Sequence, residues 1–416
     1  MNEWMRCTIG DLCDSVSITY RGKHEQVVLI NTSDVLEGEI LNHALVENKN
    51  LRGQFKKTFQ KEDILYSEIR PANKRFAFVD TDRTENYIAS TKLMVLRPKK
   101  SVVRPRYLFA ILKSNTIINE LQHLAETRSG TFPQITFSTE LAPMEILLPD
   151  FDTQDRIVSL LDALEGKIAN NKAINNNLEQ QVTLLFRSMF TDFSTSTNSE
   201  LVTTKFGAIP RSYSIGKIGE LPIEVTDYVA NGSFASLKEN VTLYQERNYA
   251  YFVRNTDLKS GNFEVFVDKH SYDFLAKSRL FGGEIIISNV GDVGSVFLCP
   301  KLDQPMTLGN NIIMIRAKKE ELQYYLYVWF KWAYGHDLIK GITGGSAQPK
   351  FNKTDFKNLD VIIPTDDILS NFHQLAKPIF EIVASNNEEA KKMMSMRDTL
   401  LSKLLCGEID VSKVEI

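Results

Sequence analysis

Between residues 154 and 190 the apolar positions recur every three or four residues. They are Ile157, Leu161, Leu164, Ile168, Leu178, Val182, Leu185 and Met189, with Asn171 and Asn175 in the two central places. Steps of four and three in alternation form a heptad seam, the pattern of a helix whose one face runs along another helix. Gly166 lies off the seam and no proline interrupts it, so the spacing predicts one helix of about 55 Å at 1.5 Å per residue. The seam returns 215 positions later as Phe372, Ala376, Ile379, Val383, Asn386, Ala390, Met393, Arg397, Leu400 and Leu404. Asn171 maps onto Asn386, and the two are expected to face each other in the middle of the antiparallel pair, where a buried polar pair costs stability and fixes register. Helix pairing is expected through Ile157, Leu161, Leu164, Ile168, Asn171, Leu178 and Leu185 on one side and Ile379, Val383, Asn386, Met393 and Leu400 on the other. Pro378 stands where the first copy has Ala163. A proline removes a helical hydrogen bond and crowds the preceding turn, so the second helix is expected to start or kink there. Val158, Ile174 and Leu184 are apolar but off the seam. They either widen the core stripe or form an assembly surface.

The repetition extends upstream, and a repeat on this scale decides the fold reading. TIGDLCD (8–14) pairs with SIGKIGE (214–220), LINTSDVLEG (29–38) with FVRNTDLKSG (252–261), DILYSEI (63–69) with EIIISNV (284–290), and STKLMVLRPK (90–99) with LGNNIIMIRAK (308–318). GTFPQITFSTELAPMEILLP (130–149) aligns without a gap to GSAQPKFNKTDFKNLDVIIP (345–364). Short runs of Ile, Val, Leu and Tyr bounded by Gly, Asp and Asn read as strands. Residues 104–124 and 320–339 read as helices. The expected class is α+β: two similar mixed domains separated by two long antiparallel coiled-coil helices, a pseudo-twofold molecule in one chain. The divisions are a first domain at 1–152, a central helix at 153–192, a Ser/Thr-rich linker at 193–203, a second domain at 204–365 and a C-terminal helix at 366–411.

The 416 residues suffice for two or three cores, and 43% hydrophobic with 24% charged residues is ordinary for a globular protein. No apolar run reaches a membrane span, and the start lacks the basic and apolar regions of a signal peptide. Four cysteines without paired spacing and six scattered histidines offer no metal site, and they suit a reducing cytoplasm. With a net charge of −3, any nucleic-acid surface is a local patch.

Catalytic motifs are missing. No two of the 13 prolines are adjacent, as the target-base turn of an amino-methyltransferase requires, and neither GxGxxG, GxxxxGK[ST] nor GxSxG occurs. Pro149, Asp150, Glu165 and Lys167 imitate the PD…ExK string of metal-dependent nucleases. Glu165 and Lys167, two apart on a helix, face different directions, which opposes that reading. Candidate DNA contacts gather in loops instead. The first half offers Arg70, Asn73, Lys74 and Arg75, then Arg128, Ser129, Thr131 and Gln134. The second offers Asn289 and Asp292, then Lys340, Thr343, Ser346, Gln348 and Lys350. Gly admits close backbone approach, basic side chains hold phosphates, and Gln and Asn match adenine edges. A charged, Gly-containing loop is more often a solvated turn, and the equivalent placement in both halves, just before each long helix, adds weight to binding.

These motifs, in this order and twice, resemble the specificity subunits of type I restriction-modification systems. The resemblance rests on DILYSEIRPANKR, STKLMVLRP, SGTFPQI and Gln154, Arg156, Ile157, Val158 in the first half. In the second it rests on GEIIISNVGDVGSVFL, LGNNIIMIR, KPIFEIV and RDTLLSKLLCGEIDV (397–411). It implies two target-recognition domains, each reading one half of a bipartite site in double-stranded DNA, and helices that space them and dock partners. The implied partners are two modification (methyltransferase) subunits and restriction (nuclease/translocase) subunits. The chain itself is then non-catalytic and without cofactor, and S-adenosylmethionine, ATP and Mg belong to the partners. The competing reading is a coiled-coil scaffold joining two ligand-binding domains without DNA recognition.

Overall fold

The computed structural model describes residues 4–51, 53–127, 133–193, 201–345, 347–409 and 411. By its contacts the chain divides into two compact units, Met1–Asn171 with Glu388–Ile416, and Lys172–Asn387. Each unit holds one mixed α and β domain and a segment of each of two long helices, Phe151–Phe190 and Asp366–Leu405.

In the first unit, Met5–Thr8 and Glu145–Leu148 form a two-stranded antiparallel ladder at the domain's root. A four-stranded antiparallel sheet has the order Cys13–Val16, Leu93–Pro98, Ile64–Ser67, Phe76–Phe78. A second sheet runs Leu45–Glu47, Gln26–Ile30, Tyr87–Ser90, Phe55–Lys57, and its central pair is parallel. Successive side chains of a strand point to opposite faces. Ile64, Tyr66, Met94 and Leu96 therefore enter a core with the helices, while Leu65, Leu93 and Val95 enter one with Val28, Ile30 and Ala89 of the second sheet. Covered on both faces, these strands are apolar throughout rather than alternating.

The second unit repeats this plan. Ser214–Lys217 pairs with Asp360–Ile363. The antiparallel sheet runs Ile223–Asp227, Ile312–Ala317, Ile285–Ser288, Val296–Leu298. Ile285, Ile287, Ile313 and Ile315 face the helices, and Ile286, Ile312 and Met314 face the other sheet. Its five-stranded sheet again has a parallel central pair, Ala250–Val253 with Met306–Leu308.

Several expectations are corrected. Each helical stretch folds as two helices. Pro105–Leu112 and Asn115–Thr127 are separated at buried Ser114, whose Oγ accepts from the Ile117 amide at 3.4 Å. Glu320–Trp332 and Tyr334–Ile342 are separated at Ala333, which has extended backbone. The turn there is tight: a Cβ on Gly335 would sit 2.5 Å from the Trp329 ring.

The glycine words align differently too. Ile9 donates to the Met144 carbonyl and Ile218 to that of Leu359, so TIGD matches KIGE (217–220), three places beyond the word-by-word match. Gly10 and Gly219 confirm it. A Cβ on either would meet the Cβ of Ala142 at 3.2 Å or of Lys357 at 3.1 Å.

Nor is 130–149 gapless against 345–364. Eight residues separate Ile135 from Met144 and seven separate Phe351 from Leu359. The extra residue is taken up by the π-turn Phe137–Leu141, where Ala142 donates to Phe137 at 2.7 Å. The second unit has the α-turn Lys353–Lys357.

Within each unit the two helix segments run antiparallel. In the first, Ile157 and Leu161 share a core with Leu401 and Leu404, and Lys167 and Asn171 reach Glu389 at 3.3 and 2.8 Å. Both bonds hold the Glu389 carboxyl below its usual range. In the second, Phe186 and Phe190 meet Phe372, whereas Asn175 meets Val383, Asn386 and Asn387. Leu164, Ile168, Leu178, Leu185, Ile379, Asn386, Met393 and Leu400 are half-buried, and Ile157, Leu161, Asn171 and Val383 are buried.

The C-terminal helix starts at Asp366 and continues through Pro378 rather than starting there. Pro378 lies on its exposed side, where solvent can serve a carbonyl that has lost its partner.

Asn175 is buried and makes three side-chain bonds of 2.8–3.2 Å. Asn175→Ala removes all three bonds from a buried place in the seam. It is expected to cost about 2 kcal/mol, read as a shift in the urea midpoint at unchanged slope. An unshifted midpoint would remove the seam's polar bonds from the stability account.

Candidate nucleic-acid interface

In the first unit the strand Ile64–Ser67 ends in the segment carrying Arg70, Asn73, Lys74 and Arg75. Its backbone is tied to a distant stretch: Ile135 donates to the Glu68 carbonyl at 2.8 Å and Arg70 to that of Pro133 at 3.1 Å, so Ile69 faces Gln134. A third segment joins, since Glu68 donates to the Lys92 carbonyl at 3.0 Å. Arg70 and Lys74 have positive φ, 46° and 52°, at the two ends of the turn Pro71–Asn73. Non-Gly residues adopt this conformation at a cost, and such strain concentrates at functional loops. The helix Asn115–Thr127 supports the turn, with Gln122 accepting from the Ala72 amide at 3.0 Å.

The second unit builds the same junction. Phe351 donates to Asn289 at 3.1 Å, Gly291 to Pro349 at 2.8 Å, and Asn289 to Asn311 at 3.1 Å, so Val290 faces Lys350. Gly344 and Lys350 exchange two bonds of 2.9 Å, which brings Thr343 alongside. Gly294 lies against Ile339 of the helix that carries Lys340.

The structure thus unites Arg70–Arg75 with Gln134, and Asn289–Asp292 with Thr343 and Lys350. Arg128, Ser129, Thr131 and Ser346 lie outside the described residues. Arg70 and Asn73 are exposed, as are Gln348 and Lys350. Two candidates hold structure. Arg75 donates to the Ser33 and Val35 carbonyls at 2.9 and 3.3 Å. Asp292 accepts from Lys259 and Ser295, both at 2.6 Å, and these bonds hold its carboxyl below the usual range.

Lys74 pairs with Glu37 at 3.7 Å and Lys340 with Asp337 at 3.2 Å. Such exposed pairs are worth little and can exchange for a phosphate. Glu68, Lys92 and Asn311 escaped the sequence reading. Each is a single residue at a strand end, and the only signal for it was its place inside a repeated word.

The nuclease-like string does not converge. Asp150 caps the long helix at the Thr153 amide, Glu165 pairs with Lys113, and Lys167 with Glu389. No helix among the described residues is long and apolar enough to cross a membrane.

Comparison with known proteins matches the description "Type I restriction modification DNA specificity domain" twice, over residues 1–180 and 216–392. The chain is 30% identical to the type I restriction enzyme HindI specificity subunit of Haemophilus influenzae, over 98% of this chain and 100% of that one. It is 28% identical to the MjaIX specificity subunit of Methanocaldococcus jannaschii, over 76% and 72%. The crystal structure of a type I restriction-modification S subunit from M. genitalium shares the fold, with a TM-score of 0.53 at 16% identity over 97% and 96% of the two chains.

Proposed function

Because this chain belongs to the type I restriction modification DNA specificity family, we propose that each of its two domains reads one half of a bipartite site in double-stranded DNA. The chain is the sequence-specificity subunit of a type I restriction-modification system and is non-catalytic, which sets aside the scaffold without DNA. Two modification subunits supply methyl transfer with S-adenosylmethionine, and restriction subunits supply ATP- and Mg-dependent cleavage. The divisions 1–152, 153–192, 193–203, 204–365 and 366–411 serve as recognition, spacing, linkage, recognition and spacing. Ile174 and Leu184, 40% and 63% exposed on the central helix, suit a face for a partner subunit, whereas Val158 joins the first unit's core.

The observation that carries the reading is the three-segment junction, built twice in one hydrogen-bond register with different side chains. A backbone held constant beneath changing side chains is what two different words of DNA require.

The test is site selection from random duplexes by the complete methyltransferase complex. It should return two short fixed words separated by unread base pairs. A contiguous word, or none, would overturn the reading. In the same complex, Lys74→Ala and Lys340→Ala should each weaken binding to all sequences alike. Each should also reduce the slope of log K against log salt by about one. Slopes equal to the parent's would remove these lysines from the phosphate contacts.

A further inference from the structure

At each junction three side chains project from backbone positions that correspond bond for bond. In the first unit they are Glu68, Lys92 and Gln134, and in the second Asn289, Asn311 and Lys350. The correspondence follows from three shared bonds. Glu68 and Asn289 each donate to the carbonyl of the residue just before the paired strand, Lys92 before Leu93–Pro98 or Asn311 before Ile312–Ala317. Each also accepts from the residue after Gln134 or Lys350, namely Ile135 or Phe351. The residue two beyond each, Arg70 or Gly291, donates to the residue before, Pro133 or Pro349. Serine precedes both, Ser67 and Ser288, buried and paired with Leu93 and Ile312 in the same antiparallel register.

Resting on the DNA-reading function proposed above, we infer that these three positions are the base-reading set of each domain. Glu68, Lys92 and Gln134 discriminate the bases of one half-site, and Asn289, Asn311 and Lys350 those of the other.

The chemistry fits base edges and differs between the sets. Lys92 Nζ lies 3.5 Å from Glu68 Oε2 and 3.4 Å from Gln134 Oε1, a loose network that a base can enter. Glu accepts from a cytosine amino group, Lys donates to guanine O6 and N7, and Gln pairs with adenine N6 and N7. Lys92 also offsets the charge that Glu68 would present to nearby phosphates.

The second set has no carboxylate. Asn289 makes one long bond, Nδ2 to the Phe351 carbonyl at 3.4 Å. Its Oδ1 is buried and has no hydrogen-bond partner among the described residues, so a rotation that brings the amide to a base edge breaks only that one long bond. Asn311 is exposed with φ 64°, a conformation that Asn tolerates well, and Lys350 is exposed. The backbone bonds that hold the junction specify none of these side chains except Asn311, whose positive φ favours Asn. The difference in side-chain chemistry is what needs a ligand.

The experiment transplants the second set into the first domain. The full complex carrying Glu68→Asn, Lys92→Asn and Gln134→Lys is run in parallel with the parent through selection from random duplexes. The word read by the first domain should change at one to three positions, with preferences altered by roughly tenfold or more each. The other word should stay as in the parent. A first word identical to the parent's would overturn the inference, while a parent that selects no bipartite site would instead overturn the function it rests on. Should the triple variant unfold, Lys92→Met and Gln134→Glu are run singly. If both select the parent's word at the parent's stringency, the set is not what reads the bases.

Discussion

Phe186→Ala is expected to destabilise the second unit by about 3–5 kcal/mol, the cost of emptying a large aromatic site in a packed core. For a unit of this size that is on the order of 10 °C in melting temperature. Phe186 is 1% exposed, and its ring centroid lies 4.8 Å from that of Phe190, 5.5 Å from Tyr325 and 5.7 Å from Phe372. Those three rings come from the central helix, a helix of the recognition domain and the C-terminal helix. One side chain thus holds three elements together, and the surrounding rings cannot all move inward to fill its place. Leu184, two residues earlier and 63% exposed, is the control: Leu184→Ala should change stability by less than about 0.5 kcal/mol. Calorimetry of the two variants compares them directly. A Phe186 variant that melts with the Leu184 variant would show that the helix is not anchored through this cluster.

The same cluster marks where the sequence was legible. The heptad seam was readable because its spacing persists over many turns, and Ile157, Leu161, Val182, Phe372, Ala376 and Leu404 are buried as that spacing requires. Phe186, Phe190, Phe380 and Leu401, each one place off the seam, are also buried. Toward its ends each helix faces a domain as well as the other helix, so the apolar arc widens beyond a two-helix stripe. The strands at 63–69 and 284–290 were legible because burial on both faces makes them continuously apolar. The word SIGKIGE was misread because it offers Ile-Gly twice, and only the bonds to Met144 and Leu359 choose between them. A π-turn hid one inserted residue that no local pattern announces.

At the site, clustered loop charges drew attention to Arg70, Lys74 and Lys340. Arg75 carries the same charge as its neighbours, yet it ties backbone carbonyls. Charge alone does not separate a ligand contact from a loop tie. Lys92 and Asn311 became visible only when long-range bonds brought three segments together.

Arg97→Met should cost about 3 kcal/mol, whereas Asp63→Leu combined with Arg97→Met should recover most of that loss. Asp63, 1% exposed, takes two bonds from Arg97, Nε to Oδ1 at 2.9 Å and Nη2 to Oδ2 at 2.8 Å. It also accepts from the Gln60 amide at 2.9 Å. This pairing raises the Arg97 pKa above its ordinary value. Removing Arg97 alone leaves a buried carboxylate with a single backbone donor. Removing both charges leaves an apolar pair, and such replacements are often neutral. Because the Arg97 side chain is 30% exposed, water can partly replace it, which holds the single-variant cost at the low end.

The second unit has the counterpart: Glu284, 3% exposed, bonds Arg316 at 3.0 Å and the Phe281 and Gly282 amides at 2.8 and 2.9 Å. In both units the pair clamps two central strands at the end opposite the junction, since Leu96 faces Ile64 while Leu93 faces Ser67 beside Glu68. Arg97→Met should therefore lower the denaturation midpoint while the selected DNA word stays as in the parent. A changed word would place this clamp in base reading as well as in stability, and equal losses for the single and double variants would show that the charges themselves are not what the pair contributes.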